Sequence, residues 1–256
     1  MIRALCFAVA GLLIGSFLTV VEYRVPRKES VVGGRSMCPS CGSVIRARDN
    51  IPVVSWVLLR GRCRSCGARI SAIYPLTELA TAALFVGASL EFESVWVAAL
   101  ISAFLAVLLA LSAIDIRHRV IPNRIVYPSA VVALVAVVVL DLTGQGLDWV
   151  DGLIGLVAYG GGLLVIALIA PRGMGMGDVK LAGLIGLVVG SVALSHVAVA
   201  AGAAILLGGL AGILLLALGR GRKTKVPFGP YLAAGAAIAV FWGAQIANAY
   251  LSLVTS

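Results

Sequence analysis

Long apolar runs without charged residues dominate the chain. Four of them approach the roughly 17 to 25 residues that a membrane-spanning helix needs, and they cover residues 4–21, 94–114, 125–140 and 152–170. A fifth run, 71–90, is interrupted by Glu78, and a last one covers 231–254. Residues 181–219 would form a helix about twice as long as the hydrocarbon core is thick, so we expect the chain to fold back near Ser195 and His196. The pattern predicts an all-α membrane protein, an eight-transmembrane-helix bundle.

The composition excludes an ordinary soluble domain. Of the 256 residues, 61% are hydrophobic and 12% are charged, whereas soluble domains have roughly half and a quarter. Residues 22–70 form the one sizeable polar segment of the sequence. We therefore predict a first transmembrane helix (1–21), a small cytoplasmic loop domain (22–70) and a seven-helix membrane domain (71–256).

The basic residues occur in alternate loops. Ten Lys and Arg lie in 22–70, three in 115–124, two in 171–180 and four in 219–226, which accounts for 19 of the 20. By the positive-inside rule these loops are cytoplasmic, and both termini lie outside the cytoplasm. The net charge of +9 therefore reflects topology and contact with the lipid bilayer, and we expect no nucleic-acid partner.

Two CxxC pairs lie in the polar loop. Cys38 and Cys41 are separated by 21 residues from Cys63 and Cys66, and a glycine follows each pair. Four thiolates suit tetrahedral Zn²⁺, and the two-residue gap lets both sulfurs of a pair face one ion. Two disulfides or four unliganded thiols are the alternatives, but the cytoplasm keeps thiols reduced. The spacing predicts a structural zinc site, while Cys6 is expected to be a buried apolar residue.

Two acidic residues lie at the predicted cytoplasmic edge of the membrane. Asp115 ends the third apolar run, and Asp178 follows Gly175 and Gly177 and precedes Lys180. Acidic groups at membrane depth are costly and suggest a function. A compact bundle could bring the two carboxyl groups together, so that one proton is shared and the pair supplies a base for water and an acid for the leaving group. This is the chemistry of aspartic proteases.

Each acidic residue also has a structural interpretation. Asp178 could cap its helix, and Asp115 could pair with an arginine two or four positions later. The glycines at positions 173, 175 and 177 favour catalysis, because they would let an extended substrate backbone approach a carboxylate. Glu78 could be a structural partner, a substrate contact or a carboxylate of the first helical turn.

Taken together, these motifs resemble the type IV prepilin peptidase family, also called prepilin leader peptidase/N-methyltransferases. The similar segments follow the family's order at residues 15–26, 38–66, 115–123, 175–181 and 227–232. The resemblance implies that Asp115 and Asp178 are the catalytic pair, the second within the GxGD motif of intramembrane aspartyl proteases. It also implies an enzyme of the bacterial inner membrane that removes, at the cytoplasmic face, the basic leader of type IV prepilin or pseudopilin precursors.

The resemblance extends to supporting residues and to a second cofactor. Gly175, Gly177, Lys180 and Glu78 are expected to bind substrate or support the site. The family often transfers a methyl group from S-adenosylmethionine to the new N-terminus, although Thr19 stands where its motif usually has Asn. An ion-coupled transporter is the main alternative function, since intramembrane acids also mark ion pathways. A non-catalytic zinc-loop scaffold of a secretion complex is the other.

Overall fold

The computed structural model describes residues 1–31, 36–171, 174–218 and 227–255. Within these ranges the chain forms helices and no strands, apart from two isolated bridges in the cysteine loop. The all-α prediction is therefore confirmed. The chain divides into two compact units, Met1–Leu90 and Glu91–Ser256. The predicted divisions after residues 21 and 70 both fall inside the first unit and stay predictions.

The first unit contains two long helices on either side of the cysteine loop. They are α1 (Ile2–Arg24) and α3 (Ile73–Glu91), whose last residue belongs to the second unit, and the loop carries the short helix α2 (Val54–Leu58). Helix α1 packs on α3 through two glycines. A Cβ at Gly11 would lie 2.6 Å from the Cα atom of Ala82, and one at Gly15 would lie 2.7 Å from that of Glu78. The two backbones thus approach as closely as small residues allow in membrane helices.

The second unit is a succession of apolar helices. They are α4 (Val95–His118), α5 (Asn123–Leu142), α6 (Trp149–Gly155), α7 (Gly161–Ile169), α8 (Met176–Val192), α9 (Leu194–Ala217) and α10 (Gly229–Thr255). A π-helical turn, Leu156–Gly160, joins α6 to α7 without a break. Side-chain caps mark two helix starts, since Ser94 accepts from the N–H of Val97 and Asp148 accepts from the two N–H groups of the first turn of α6.

Helix α8 forms the core of the second unit. Eleven of its 17 residues are buried, as expected of a helix that is apolar all round and surrounded by other helices. Glycines let its neighbours approach, because Gly186 lies directly against the backbone of Gly155, and a Cβ at Gly160 would lie 2.9 Å from the Cα of Gly183. Helix α9 instead exposes many of its leucines and isoleucines, as a lipid-facing helix does.

Among the described residues, seven helices are long and apolar enough to cross a membrane. They are α1, α3, α4, α5, the continuous α6–α7, α9 and α10. A multi-pass membrane protein is therefore supported, but α8 is not among the seven, and the count of eight spans stays a prediction. The expected reversal near Ser195 corresponds to a break at Ala193, whose extended backbone separates α8 from α9.

Candidate functional site

The four loop cysteines converge on one point in the first unit. The sulfur atoms of Cys38, Cys41, Cys63 and Cys66 all lie within 4.8 Å of one another, and those of Cys38 and Cys66 are 3.9 Å apart. Around a tetrahedral ion with Zn–S bonds of about 2.3 Å the sulfurs would be about 3.8 Å apart. The four thiols therefore fit such an ion, and the prediction that they come together where one metal ion could be held is confirmed.

Each CxxC pair closes the same kind of turn. The N–H of Cys38 donates to the carbonyl of Ser43 at 2.9 Å, and the N–H of Gly42 donates back to Cys38 at 2.9 Å. The equivalent bonds around Cys63 measure 2.8 and 2.9 Å. Gly42 and Gly67 have φ angles of +69° and +72°, a left-handed conformation that glycine adopts without a steric penalty. The motif C-x-x-C-G thus encodes the local geometry of each half of the cluster.

Polar contacts support the cluster from outside. The guanidinium of Arg64 donates to both carboxylate oxygens of Asp49, at 2.7 to 3.1 Å, and these hydrogen bonds lower the pKa of Asp49. The hydroxyl of Ser43 lies 2.6 Å from the sulfur of Cys41. This hydrogen bond, together with weaker ones from the Ser43 backbone and the neighbouring cysteines, lowers the pKa of the Cys41 thiol to about 6. That thiol therefore ionises readily to the thiolate, the form that binds a metal.

The fifth cysteine lies apart from the cluster. Cys6 is exposed on α1, so the prediction that it is buried is wrong. An apolar helix that faces lipid leaves such a small side chain uncovered by protein, and the apolar pattern of the sequence does not distinguish lipid contact from burial in protein.

Glu78 makes a structural contact within the first unit. Its Oε2 accepts the N–H of Val53 at 2.7 Å, and the side chain is buried, with 7% exposed. Val53 has a φ of 60° and a ψ of −51°, which a β-branched residue rarely adopts, in a tight turn where the N–H of Val54 reaches the carbonyl of Pro52. The carboxylate thus anchors a strained turn of the cysteine loop on α3. A role of Glu78 towards substrate stays a prediction.

Asp115 lies one turn before the end of α4, in the second unit. Its side chain is buried, with 5% exposed, and its Oδ2 accepts the backbone N–H of Gly229 at 3.0 Å. The donor belongs to the first residue of α10, where helical N–H groups have no partner within the helix. The buried carboxyl group thus has a backbone hydrogen-bond donor from a distant segment.

Asp178 lies in the first turn of α8 and is half-buried. Its Oδ2 accepts the N–H of Gly175 at 3.3 Å, and Gly175 is the N-cap residue of α8. Asp178 therefore contributes to capping from the third helical position and does not occupy the N-cap position considered from the sequence. Gly177 packs on the loop after α4, where a Cβ would lie 2.9 Å from the Cβ of Ile121. The remaining glycine of the series, Gly173, lies outside the described residues.

The two aspartates are neighbours in the second unit. The charge of Asp115 acts on the carboxyl group of Asp178, although the residues are 63 positions apart in the sequence. Two carboxyl groups at short range favour a state in which one is ionised and the other is protonated. Such a pair can remove a proton from water and supply another to a leaving group.

Lys180 ties α8 to α5 beside this pair. Its Nζ donates to Oδ1 of Asn123 at 3.0 Å and lies 5.1 Å from the ring centre of Tyr127. It also lines an apolar groove between α5, α7 and α8, with a cavity volume of about 380 Å³. Asn123, Ile121 and Gly229 all belong to the motifs considered above, but nothing in the sequence indicated what they contact.

The chain is similar to known proteins along most of its length. Residues 9–92 match the family profile described as "Bacterial Peptidase A24 N-terminal domain", and residues 102–217 match the one described as "Type IV leader peptidase family". A prepilin leader peptidase/N-methyltransferase of Bacillus subtilis is 34% identical over 244 residues, which cover 95% of this chain and 96% of the relative.

Two further relatives agree with these matches. A prepilin leader peptidase/N-methyltransferase of Aeromonas hydrophila is 36% identical over an alignment of 277 positions, gaps included, which covers 94% of this chain and 91% of the relative. A "type 4 prepilin-like proteins leader peptide-processing enzyme" of Escherichia coli is 35% identical over an alignment of 254 positions, gaps included, which covers 91% of each chain. No solved structure matches the chain.

Proposed function

The chain belongs to the type IV leader peptidase family, and from this premise we propose that it is a membrane aspartic endopeptidase. Its substrates are type IV prepilin or pseudopilin precursors, from which it removes the basic leader. The observation that carries the proposal is the proximity of Asp115 on α4 and Asp178 on α8. Gly177, next to Asp178, packs on Ile121 in the loop that follows α4, and the charge of Asp115 acts on the carboxyl group of Asp178. The names of the relatives support the same reaction.

The aspartate pair performs hydrolysis by sharing one proton. The ionised carboxylate takes a proton from a water molecule while the oxygen of that water bonds to the carbonyl carbon of the scissile peptide. The protonated carboxyl group hydrogen-bonds to the carbonyl oxygen, and when the C–N bond breaks a proton passes to the leaving nitrogen. Asp115 and Asp178 fill these two roles between them.

The membrane positions the substrate. A precursor anchored by its apolar helix reaches a site at the membrane edge by diffusing within the bilayer, so much of the translational freedom is lost before it binds. This favours an active site at the cytoplasmic face, where the leader precedes the precursor's apolar helix. Gly175 and Gly177 support the site: the N–H of Gly175 donates to Oδ2 of Asp178, and Gly177 lets the start of α8 pack on Ile121.

We place α8 across the bacterial inner membrane as the eighth span. At 17 residues and about 1.5 Å per residue it measures roughly 25 Å, near the lower limit for a spanning helix. With α8 crossing, all four basic loops share one side, as the positive-inside rule requires. The termini then lie outside the cytoplasm, and both aspartates lie at the cytoplasmic edge.

A structural Zn²⁺ is proposed for the cysteine cluster. The ion would be held by Cys38, Cys41, Cys63 and Cys66, whose sulfur spacing fits a tetrahedron. With four thiolates no coordination position stays open for water, so the ion supplies structural organisation of the loop.

We also propose N-methylation of the new N-terminus with S-adenosylmethionine as donor, because several relatives are named N-methyltransferases. The groove beside Lys180 does not fit this cofactor. Its lining is almost entirely apolar, whereas the cofactor carries a carboxylate, hydroxyl groups and a sulfonium that require polar partners. No residue is assigned to the methyl donor.

Mass spectrometry of a co-expressed precursor tests the function. The wild-type enzyme is expected to shorten the precursor at its leader, and the mass of the new N-terminus also reports any added methyl group. Asp115→Asn and Asp178→Asn should each reduce trimming by roughly 10⁴-fold or more while the protein still inserts. The matched control Asp151→Asn, in the first turn of α6, should trim normally. Normal trimming by both active-site variants would refute the proposal, and a precursor left uncut by the wild type would favour a transporter or a scaffold.

A further inference from the structure

We propose that Gly229 is a positioning residue of the active site. Its N–H holds one oxygen of Asp115, and its lack of a side chain provides the space that this carboxyl group occupies. The first residue of α10 is thereby a third component of the catalytic centre beside Asp115 and Asp178. The inference rests on the proposed function, since it assigns Asp115 to catalysis.

The hydrogen bond joins two segments that are far apart in the sequence. Gly229 N–H donates to Asp115 Oδ2 at 3.0 Å across 114 positions of sequence, in a buried environment. The first N–H groups of a helix have no carbonyl partner within that helix, so this donor is free for a side chain. The positive end of the α10 dipole also lies at this carboxyl group.

The space around Gly229 also constrains which residue can stand at this position. A Cβ at this position would lie 2.8 Å from Oδ2, 3.3 Å from Cγ and 3.4 Å from Cβ of Asp115. Gly229 is not among the glycines with a positive φ, so its backbone conformation is open to any residue. Glycine is therefore required here for steric reasons, and a larger residue must displace the Asp115 carboxyl group.

The start of α10 is itself held in place. Phe228 packs its ring on α9, where a Cβ at Gly208 would lie 3.0 Å from Phe228 Cε2, and it lies against Tyr231 with ring centres 6.4 Å apart. Its carbonyl accepts the N–H groups of Tyr231 and Leu232, which begin the helix. The donor of Gly229 is thus fixed by α9 and by the first turn of α10.

Fixing one carboxyl oxygen decides what the other can do. With Oδ2 occupied by Gly229, Oδ1 of Asp115 is left to share a proton with Asp178 and to contact water. Catalytic groups work within tight positional limits, and a shift of about 1 Å can reduce the rate by about 10²-fold. The contact with Gly229 therefore determines the rate of the chemical step more than the affinity for the precursor.

The first test is kinetic. Gly229→Ala is expected to lower kcat for precursor cleavage by about 10²-fold and to leave KM within a few-fold of the wild type, since only the reacting carboxyl group moves. The matched control is Gly209→Ala in α9, where a Cβ would meet nothing within 4 Å, and its kinetics should be those of the wild type. An unchanged kcat in Gly229→Ala would overturn the proposal.

The second test does not depend on activity. Thermal unfolding of Gly229→Ala, Asp115→Ala and the double variant forms a cycle that isolates the contact between the two positions. Gly229→Ala should lower Tm in the wild-type background and lower it much less when Asp115→Ala has removed the carboxyl group. Equal losses in both backgrounds would overturn the proposal. If the Tm losses of the two positions are coupled but the wild-type enzyme cuts no precursor, the contact between Gly229 and Asp115 is supported and the proposed function is refuted.

Discussion

The cysteine cluster of the first unit and the aspartate pair of the second are assembled in opposite ways. Each half of the cluster is built by a turn whose hydrogen bonds join residues at most five positions apart, as between Cys38 and Ser43. The aspartate pair joins residues 63 positions apart, and Asp115 finds its donor 114 positions away. A local motif can therefore build a metal-binding group, whereas the carboxyl pair depends on how α4, α8 and α10 pack.

Glycine also serves the two regions for different reasons. Gly42 and Gly67 have positive φ angles, and a Cβ at either would meet nothing within 4 Å. Gly177 and Gly229 have no positive φ, but a Cβ at either would meet an atom closer than 3.0 Å. The first pair is needed for backbone conformation and the second for space, so the same substitution should have different consequences.

The largest expected effect is the loss of metal from the cluster. Purified wild-type protein should contain about one Zn²⁺ per chain, and Cys38→Ser with Cys41→Ser should contain none, because two thiolates do not complete a tetrahedral site. Metal analysis measures this, and limited proteolysis should show new cuts in residues 36–70 while residues 91–171 stay resistant. Cys6→Ser is the control and should keep its zinc. Unchanged metal content in the double variant would refute the site.

A steric change at the aspartate pair should come next. Gly177→Ala places a Cβ against Ile121 and should displace Asp178, so we expect precursor cleavage to fall by about 10²-fold with full zinc content. Gly162→Ala, where the added Cβ would meet nothing within 4 Å, serves as the control in the same cleavage assay. If Gly177→Ala lost zinc as well as activity, the cysteine cluster would depend on the packing around the aspartate pair, and the two regions would not be independent.

Removing the anchor of the strained turn should have a moderate effect. Glu78→Ala leaves the N–H of Val53 without its carboxylate acceptor, so the free energy of unfolding should fall by about 1.5 to 3 kcal/mol. Glu78→Gln retains an acceptor oxygen and should lose less. Chemical unfolding in detergent measures both, with the exposed Glu91→Ala as the control. Equal stability of Glu78→Ala and the control would remove the anchoring role.

The smallest effect is expected at a conformational glycine. Asn tolerates the left-handed conformation better than other residues, so Gly42→Asn should cost about 1 kcal/mol or less and less than Gly42→Ala. Zinc retention against a competing chelator measures the difference. The reverse ranking would show that space, and not backbone conformation, limits this turn as it does Gly177.

Several features of the fold follow from patterns that adjacent residues carry. The apolar runs predicted the helices, because the bilayer requires backbone hydrogen bonds to be satisfied within each segment. The chain is expected to reverse near Ser195, and the break lies two residues earlier, at Ala193. The apolar run 181–219 is uninterrupted, so hydropathy does not mark the boundary between the two helices. Burial of Cys6 was predicted wrongly for the related reason that lipid and protein interior are equally apolar.

By itself the sequence determined the membrane helices, the convergence of Cys38, Cys41, Cys63 and Cys66, and the two candidate acids. These depend on hydropathy, on local turn geometry and on residue chemistry, which short segments carry alone. Only the tertiary structure decided which oxygen of Asp115 is held, what Glu78 contacts, and that Gly229 is needed for space. Those properties arise where segments distant in sequence pack together, and a close approach between two such segments leaves no periodic signal in either of them.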